Sequence, residues 1–300
     1  MLIPILLAIL VLGTLCVAYG VFVERRWYRL VRHRLDILPA QGPEQLTVLH
    51  LSDLHYVVGD RRMRSFLAGL PPADVAVITG DIIGEPEAVE ESVAALQPVR
   101  GRLASIAVLG SNDHYVPRPV NPFRYFFKHR RRRITPRSRA PELVAELEAD
   151  GWTHLRNRRT QTVLDGLPVE LLGLDDAHIG WHDLRVAPRR APERFGFAVM
   201  HSPDAAPELA ALGYDLIVAG HTHGGQVRMP IAGALVTNCQ LPRRLASGLI
   251  RMEPAFLHVS QGLGTSKYAP FRFLCRPEAT LLELRRAPQP FEVTRSNTAS

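Results

Sequence analysis

Apolar residues run without a single charge from position 1 to position 23, then break into short blocks separated by polar loops. As a helix, residues 2–23 span roughly 33 Å at 1.5 Å per residue, enough to cross a bilayer. Arg25, Arg26, Arg29, Arg32 and Arg34 follow at once, with Trp27 and Tyr28 at the boundary in the manner of an aromatic belt. The basic n-region and small-residue cleavage site of a secretory signal are missing. The expectation is a single-pass cell-membrane anchor over 1–23, N-terminus outside and body in the cytoplasm. Positions 24–45, with Pro39, Gly42 and Pro43, read as a basic juxtamembrane segment and linker.

Beyond the linker, β-branched-rich apolar blocks recur at 46–51, 75–79, 105–109, 169–174, 197–200, 216–219, 255–260 and 280–284. Blocks of this length match strands buried in a sheet. Helical patterns cover 85–96, 141–150 and 203–212, the last with Ser202 expected to cap ahead of Pro203. Strands alternate with helices early and adjoin one another later, which predicts an α/β sandwich with a mixed sheet over residues 46–286. Residues 287–300 are polar, carry two prolines and are expected to be a disordered tail.

Composition removes several alternatives. The chain has 300 residues, 46% hydrophobic and 22% charged, a globular balance that excludes disorder throughout. Three cysteines, Cys16, Cys239 and Cys275, form no C-x-x-C pair, so neither a zinc ribbon nor a disulfide framework is expected. The net charge of +7 conceals two blocks. Positions 24–34 hold five arginines against one glutamate, and positions 124–139 hold seven arginines and Lys128 with no acid. The remainder is net acidic, which weighs against a spread nucleic-acid footprint and makes a nucleic-acid partner unexpected. Aromatic residues interleave with the second block over 122–133, a pattern suited either to an anionic membrane surface or to a solvated loop.

The polar clusters fall at the ends of the apolar blocks. Ser52-Asp53-Leu54-His55, Gly80-Asp81, Gly110-Ser111-Asn112-Asp113-His114, His201, and Gly220-His221-Thr222-His223-Gly224-Gly225 each close a predicted strand. Loops at the carboxyl ends of strands are where α/β folds place ligands. Oxygen and imidazole donors without thiolate suit Mn, Fe or Zn as divalent ions. Asp53 and His55, two residues apart, can project the same way from extended chain.

These five motifs, in this order, resemble the calcineurin-like metallophosphoesterase superfamily, and within it a bacterial membrane-associated branch similar to UDP-2,3-diacylglucosamine diphosphatases. The resemblance implies a β-sandwich flanked by helices. It implies two divalent metal ions bridged by Asp81, with Asp53, His55 and His223 completing one site and Asn112, His201 and His221 the other. The implied reaction is attack by a metal-bridged hydroxide on a phosphodiester, pyrophosphate or phosphomonoester. A lipid- or nucleotide-linked, amphiphilic phosphorylated substrate fits the anchor. A metal-dependent nuclease, or a weakly catalytic tethered protein that binds a phosphorylated ligand, are the alternatives.

One motif departs. The family's Asn-His-Asp reads Asn112-Asp113-His114, so the catalytic candidates are His114 and Asp113. Either Asp113 has a raised pKa, or His114 takes the proton-donating role, or the leaving group needs little protonation. Asp175 and Asp176, after a strand, read either as groups supporting the site from behind its ligands or as a plain loop, with the loop favoured; His50 reads as a buried hydrogen-bonded residue, and His178 and His182 as candidates for substrate contact. Gly224-Gly225 reads as a tight turn, Cys239 and Cys275 as buried apolar residues.

Overall fold

The computed structural model describes residues 2–116, 137–265 and 267–288; the basic-aromatic segment 122–133 and most of the expected tail lie outside them. Helix α1 (Leu2–Ala18) continues through a π turn (Tyr19–Val23) and a 3-10 turn (Glu24–Arg26), giving one apolar helix long enough to cross a membrane.

Two six-stranded sheets stack face to face. The first runs β1 (Arg29–Leu38), β14 (Glu278–Arg286), β2 (Gln45–Leu51), β3 (Val75–Thr79), β4 (Ala104–Val108), β5 (Thr153–His154). The second runs β12 (Gly248–Met252), β13 (Ala255–Val259), β9 (Leu216–Ala219), β8 (Phe195–Val199), β7 (Leu167–Gly173), β6 (Arg158–Leu164). A short ribbon, β10 (Arg228–Met229) with β11 (Gly233–Ala234), stands apart. The period-2 alternation of β3 shows how the layers form: Val75 and Val77 enter the core between the sheets, while Ala76 and Ile78 face helices. Those helices are α2 (Arg61–Ala68), α3 (Val89–Leu96) and α5 (Ala140–Ala149), and α6 (Ala206–Ala211) covers the outer face of the second sheet. Helix α4 (Ser111–His114) is a single turn in the β4 loop.

The eight predicted strands are present within a few residues, and the α/β sandwich holds. The linker reading of 24–45 needs correction. Residues Arg29–Leu38 form β1, parallel to β14, with Leu35 and Leu38 in the core between the sheets. Charged side chains pair between the strands, Arg29 with the buried Glu278 and the exposed Arg32 with Glu283. The body therefore begins directly after the apolar helix. Ser202 occupies its expected position, but its hydroxyl has no hydrogen-bond partner among the described residues. Cys239 is only half-buried, and Cys275 is buried.

Parallel order among β2, β3 and β4, and again among β7, β8 and β9, points all their carboxyl ends the same way. The five polar clusters therefore converge on one rim of the sandwich.

Candidate metal centre

Each strand hands over to its polar residue through an abrupt turn. Five of the seven metal-ligand candidates have positive φ: Asp53 (48°), His55 (43°), Asp81 (52°), His221 (69°) and His223 (50°). Side chains in this left-handed region are strained, and such strain persists where the surroundings over-determine it. The surroundings do so here through backbone bonds from Asp53 N–H to Gly80, from His55 N–H to Asp81 and from Gly220 N–H to His201. Glycine is required where chains touch: a Cβ on Gly220 would stand 1.8 Å from Ser52 Oγ, and one on Gly110 2.3 Å from Asp81 Oδ1.

Asp53, His55, Asp81 and His223 bring ligand atoms within 4.8 Å of one another. His55 Nε2 faces His223 Nε2 at 3.2 Å, and His223 Nε2 lies 3.4 Å from Asp53 Oδ1. On the other side, His201 Nε2 is 3.2 Å from His221 Nδ1. Asp81 joins the two groups, its Oδ2 being 3.6 Å from both His55 Nε2 and His201 Nε2. Asn112 donates its backbone N–H to Asp81 Oδ1 at 2.8 Å and its side-chain amide to Asp81 Oδ2, leaving its carbonyl oxygen as the donor atom for a cation. All seven candidates are thus at one place.

The outer contacts orient these donors. His201 Nδ1 faces the Thr79 carbonyl at 2.6 Å, so Nδ1 carries a proton and Nε2 is the nitrogen a cation would take in place of its proton. His221 Nε2 faces the Asn238 carbonyl at 3.0 Å, which leaves Nδ1 as its lone pair. Ser52 Oγ and the His221 N–H both donate to Asp53 Oδ2, while Asp53 Oδ1 is buried with no hydrogen-bond partner. A buried carboxylate oxygen facing imidazole nitrogens is the donor chemistry a divalent cation satisfies.

The electrostatics agree. Burial pushes the pKa values of His55, His221 and His223 down, keeping these rings neutral and able to ligate. Burial also disfavours charge on His201, but Asp81, Asp176 and Asp53 outweigh it and raise that ring to about 9. Burial opposes ionisation of Asp81 too, yet His201, His55 and the Asn112 bonds hold its carboxyl below the usual range. Several carboxylates at the rim call for positive charge, which His201 supplies as a proton. The residues fit the implied ions.

The catalytic candidates part company. Asp113 is fully buried, its Oδ1 accepting from the Ile82 and Ile83 N–H groups and its Oδ2 from the Gly110 N–H. Burial and the Asp81 charge raise its pKa to about 7. With both oxygens occupied by backbone amides, it holds the β3 and β4 loops together, and the expectation of a proton donor at Asp113 is not supported by this geometry. His114 places Nε2 3.2 Å from Asp175 Oδ1, and its ring packs on Trp181 at 4.7 Å. Asp175 is held in turn by Arg156 Nε at 2.6 Å.

Asp175, read from sequence as a loop residue, therefore orients His114. Asp176 is buried beside His201, with one oxygen unpartnered, and burial lifts it to about 6. The His178 ring packs on His221 at 4.4 Å. His50 is buried between His258 Nδ1 and Thr79 Oγ1, as expected. Gly224 and Gly225 form the expected turn. Arg272, which sequence reasoning missed, is fully buried and donates to the carbonyls of Gln261, Gly262, Gly264 and Cys275, bracing the loop beneath Asp53. No local pattern marks it, because apart from the Cys275 sulfur its acceptors are backbone carbonyls.

The comparisons with known proteins address this same stretch. Residues 46–225 match the family described as calcineurin-like phosphoesterase. The chain is 27% identical over 248 residues to the uncharacterized metallophosphoesterase YkuE of Bacillus subtilis, covering 80% of this chain and 78% of that protein. It is 26% identical over 277 residues to phosphodiesterase YaeI of Escherichia coli, covering 89% and 92%. It is 25% identical over 289 residues to the UDP-2,3-diacylglucosamine pyrophosphatase LpxG of Chlamydia trachomatis, covering 81% and 84%. The matched span takes in every residue of the cluster at the rim: the chain belongs to the calcineurin-like phosphoesterase family and is a metal-dependent phosphoester hydrolase.

Proposed function

We propose that the protein is a membrane-anchored dinuclear phosphohydrolase that cleaves a phosphodiester or pyrophosphate. The observation that carries this reading is Asp81, equidistant at 3.6 Å from one imidazole of each half-site. Asp53, His55 and His223 would hold one ion with it, and Asn112, His201 and His221 the other. When bound, two divalent ions neutralise the phosphoryl oxygens and lower the pKa of water so that a nucleophile exists near pH 7.

The chain's own residues do the rest. The carbonyls of Thr79 and Asn238 hold one ring nitrogen each of His201 and His221, so that His201 Nε2 and His221 Nδ1 are the nitrogens turned toward the site. His114, oriented by Asp175 and Trp181, is the proton donor to the leaving oxygen. Named relatives include a phosphodiesterase and a lipid-sugar pyrophosphatase, and substrates of either kind suit a site beside a bilayer. In this reading the apolar helix serves as the anchor, and the arginines that follow it favour a body on the cytoplasmic side.

Hydrolysis of bis-p-nitrophenyl phosphate by chelator-stripped, then Mn²⁺-reloaded protein tests the reading. Turnover should require the metal and vanish in Asp81→Ala. Equal turnover by stripped protein, or an active Asp81→Ala variant, would overturn it.

A further inference from the structure

The inner end of the apolar helix is locked onto the body next to the metal loops. Gly20 packs so closely on Phe271 that a Cβ there would stand 2.2 Å from its ring, and the Gly20 carbonyl accepts from Arg272 N–H. Glu24 is buried and accepts the backbone N–H groups of Leu274 and Cys275. Trp27 lies under the Arg276 guanidinium at 4.0 Å. This docking leaves a cavity of about 180 Å³ between the helix end and the first half-site, with His55 in its wall.

The walls differ in character. Arg25, Arg26 and Lys267 supply positive charge, while Leu54, Met63 and Leu263 supply buried apolar surface. Lys267 is paired with Glu85, and the one lining acid, Asp60, is engaged as the cap of α2 through Met63 N–H. Neither Arg25 nor Arg26 has an ion pair among the described residues, and Arg25 Nε is buried without an acceptor. A buried guanidinium N–H without an acceptor among the described residues, with a second, exposed arginine next to it and a site for one phosphoryl group beside both, matches the chemistry of a second phosphate.

We propose that the anchor's own Arg25 and Arg26 form an anion subsite for a phosphate linked to the scissile one, whose apolar chain follows the Leu54–Met63–Leu263 wall; this rests on the phosphohydrolase reading above. The ligand class is a diphosphate carrying an apolar tail, entering at the level of the bilayer headgroups.

Competition against metal-dependent hydrolysis of methyl p-nitrophenyl phosphate tests it, using the Mn²⁺-loaded full-length chain in phosphatidylcholine nanodiscs. The competitors are methyl phosphate, methyl diphosphate and dodecyl diphosphate. The inhibition constant should fall about tenfold from the first to the second and fall again for the third. In Arg25→Gln/Arg26→Gln the first gain should disappear, whereas Arg251→Gln, an exposed change on β12, should keep it. Lys267→Gln provides the same comparison, with a smaller loss, should thermal unfolding show the double variant misfolded. Equal inhibition by methyl phosphate and methyl diphosphate, or an undiminished gain in the arginine variant, overturns the subsite. A full gain with methyl diphosphate and none added by the dodecyl chain overturns the amphiphilic ligand in favour of a soluble diphosphate. If methyl p-nitrophenyl phosphate is not hydrolysed at all, the phosphohydrolase reading has failed, and calorimetric titration of methyl diphosphate into wild-type and variant protein then decides the subsite alone.

Discussion

Replacing Glu24 by alanine should detach the N-terminal apolar helix from the catalytic body. Glu24 is 1% exposed, and its two carboxylate oxygens accept the N–H groups of Leu274 and Cys275. Leu274 has φ of 53°, a conformation a leucine adopts only when held there. Truncation leaves two donors without acceptors at about 1–3 kcal/mol each; because Leu274 is half-exposed and water reaches part of the turn, about 2–4 kcal/mol in all is expected. For a body of this size that corresponds to a fall of roughly 5–10 °C in Tm. Glu24→Gln keeps one acceptor oxygen and should lose about half as much. Thermal unfolding in detergent micelles gives the total, and amide hydrogen exchange at 274 and 275 gives the local effect. The effect should reach the metal loop, since Phe273 exchanges backbone bonds with Gln226 and Arg228 and the Cys275 thiol donates to the His223 carbonyl. Unchanged exchange at both amides together with an unchanged Tm would refute the docking.

Three further outcomes follow from the site. Gly220→Ala and Gly110→Ala should each cut metal retention at least tenfold, because the new methyl would collide with Ser52 and Asp53 or with Asp81; retention of both ions on elemental analysis would contradict the close approach. His114→Ala should slow hydrolysis of alkyl phosphodiesters by about 10²–10⁴-fold and of nitrophenyl esters far less, with Asp175→Asn intermediate, and equal losses on both ester types would remove His114 from the proton-donating role. Asp176, raised to about 6 in the folded chain, binds a proton more tightly there than when unfolded, so its contribution to stability is full below about pH 4 and lost as pH rises through 6. Metal-free Asp176→Asn should therefore gain up to about 3 kcal/mol over wild type between pH 4 and pH 7, measured by denaturant unfolding; a pH-independent difference would contradict this.

How far the sequence spoke for itself varies with the kind of contact involved. β3 and β9 were legible because every residue in them is buried, so the chain shows an unbroken apolar run. β1 was not: at the edge of its sheet, its Arg-Leu-Val-Arg-His-Arg alternation resembles a basic juxtamembrane block. β6 and β12 escaped for the same reason, each with side chains open to solvent at an edge. The ligand residues could be read because each sits two to four positions past a strand, where local sequence determines placement. Glu24 and Arg272 could not, since most of their partners are backbone atoms, distant in sequence for Glu24 and set by a loop conformation for Arg272. The shift from Asp113 to His114 depended on Asp175, 61 residues along the chain from the ring it orients.

The central claim is that one aspartate, Asp81, joins two metal sites. Elemental analysis of the purified full-length chain after loading with Mn²⁺ and removal of free ion tests it most directly. Two ions per wild-type chain and fewer than one in Asp81→Ala are predicted, with Asn112→Ala losing one of the two. One ion or none in wild type under every metal condition, or two retained by Asp81→Ala, would contradict it.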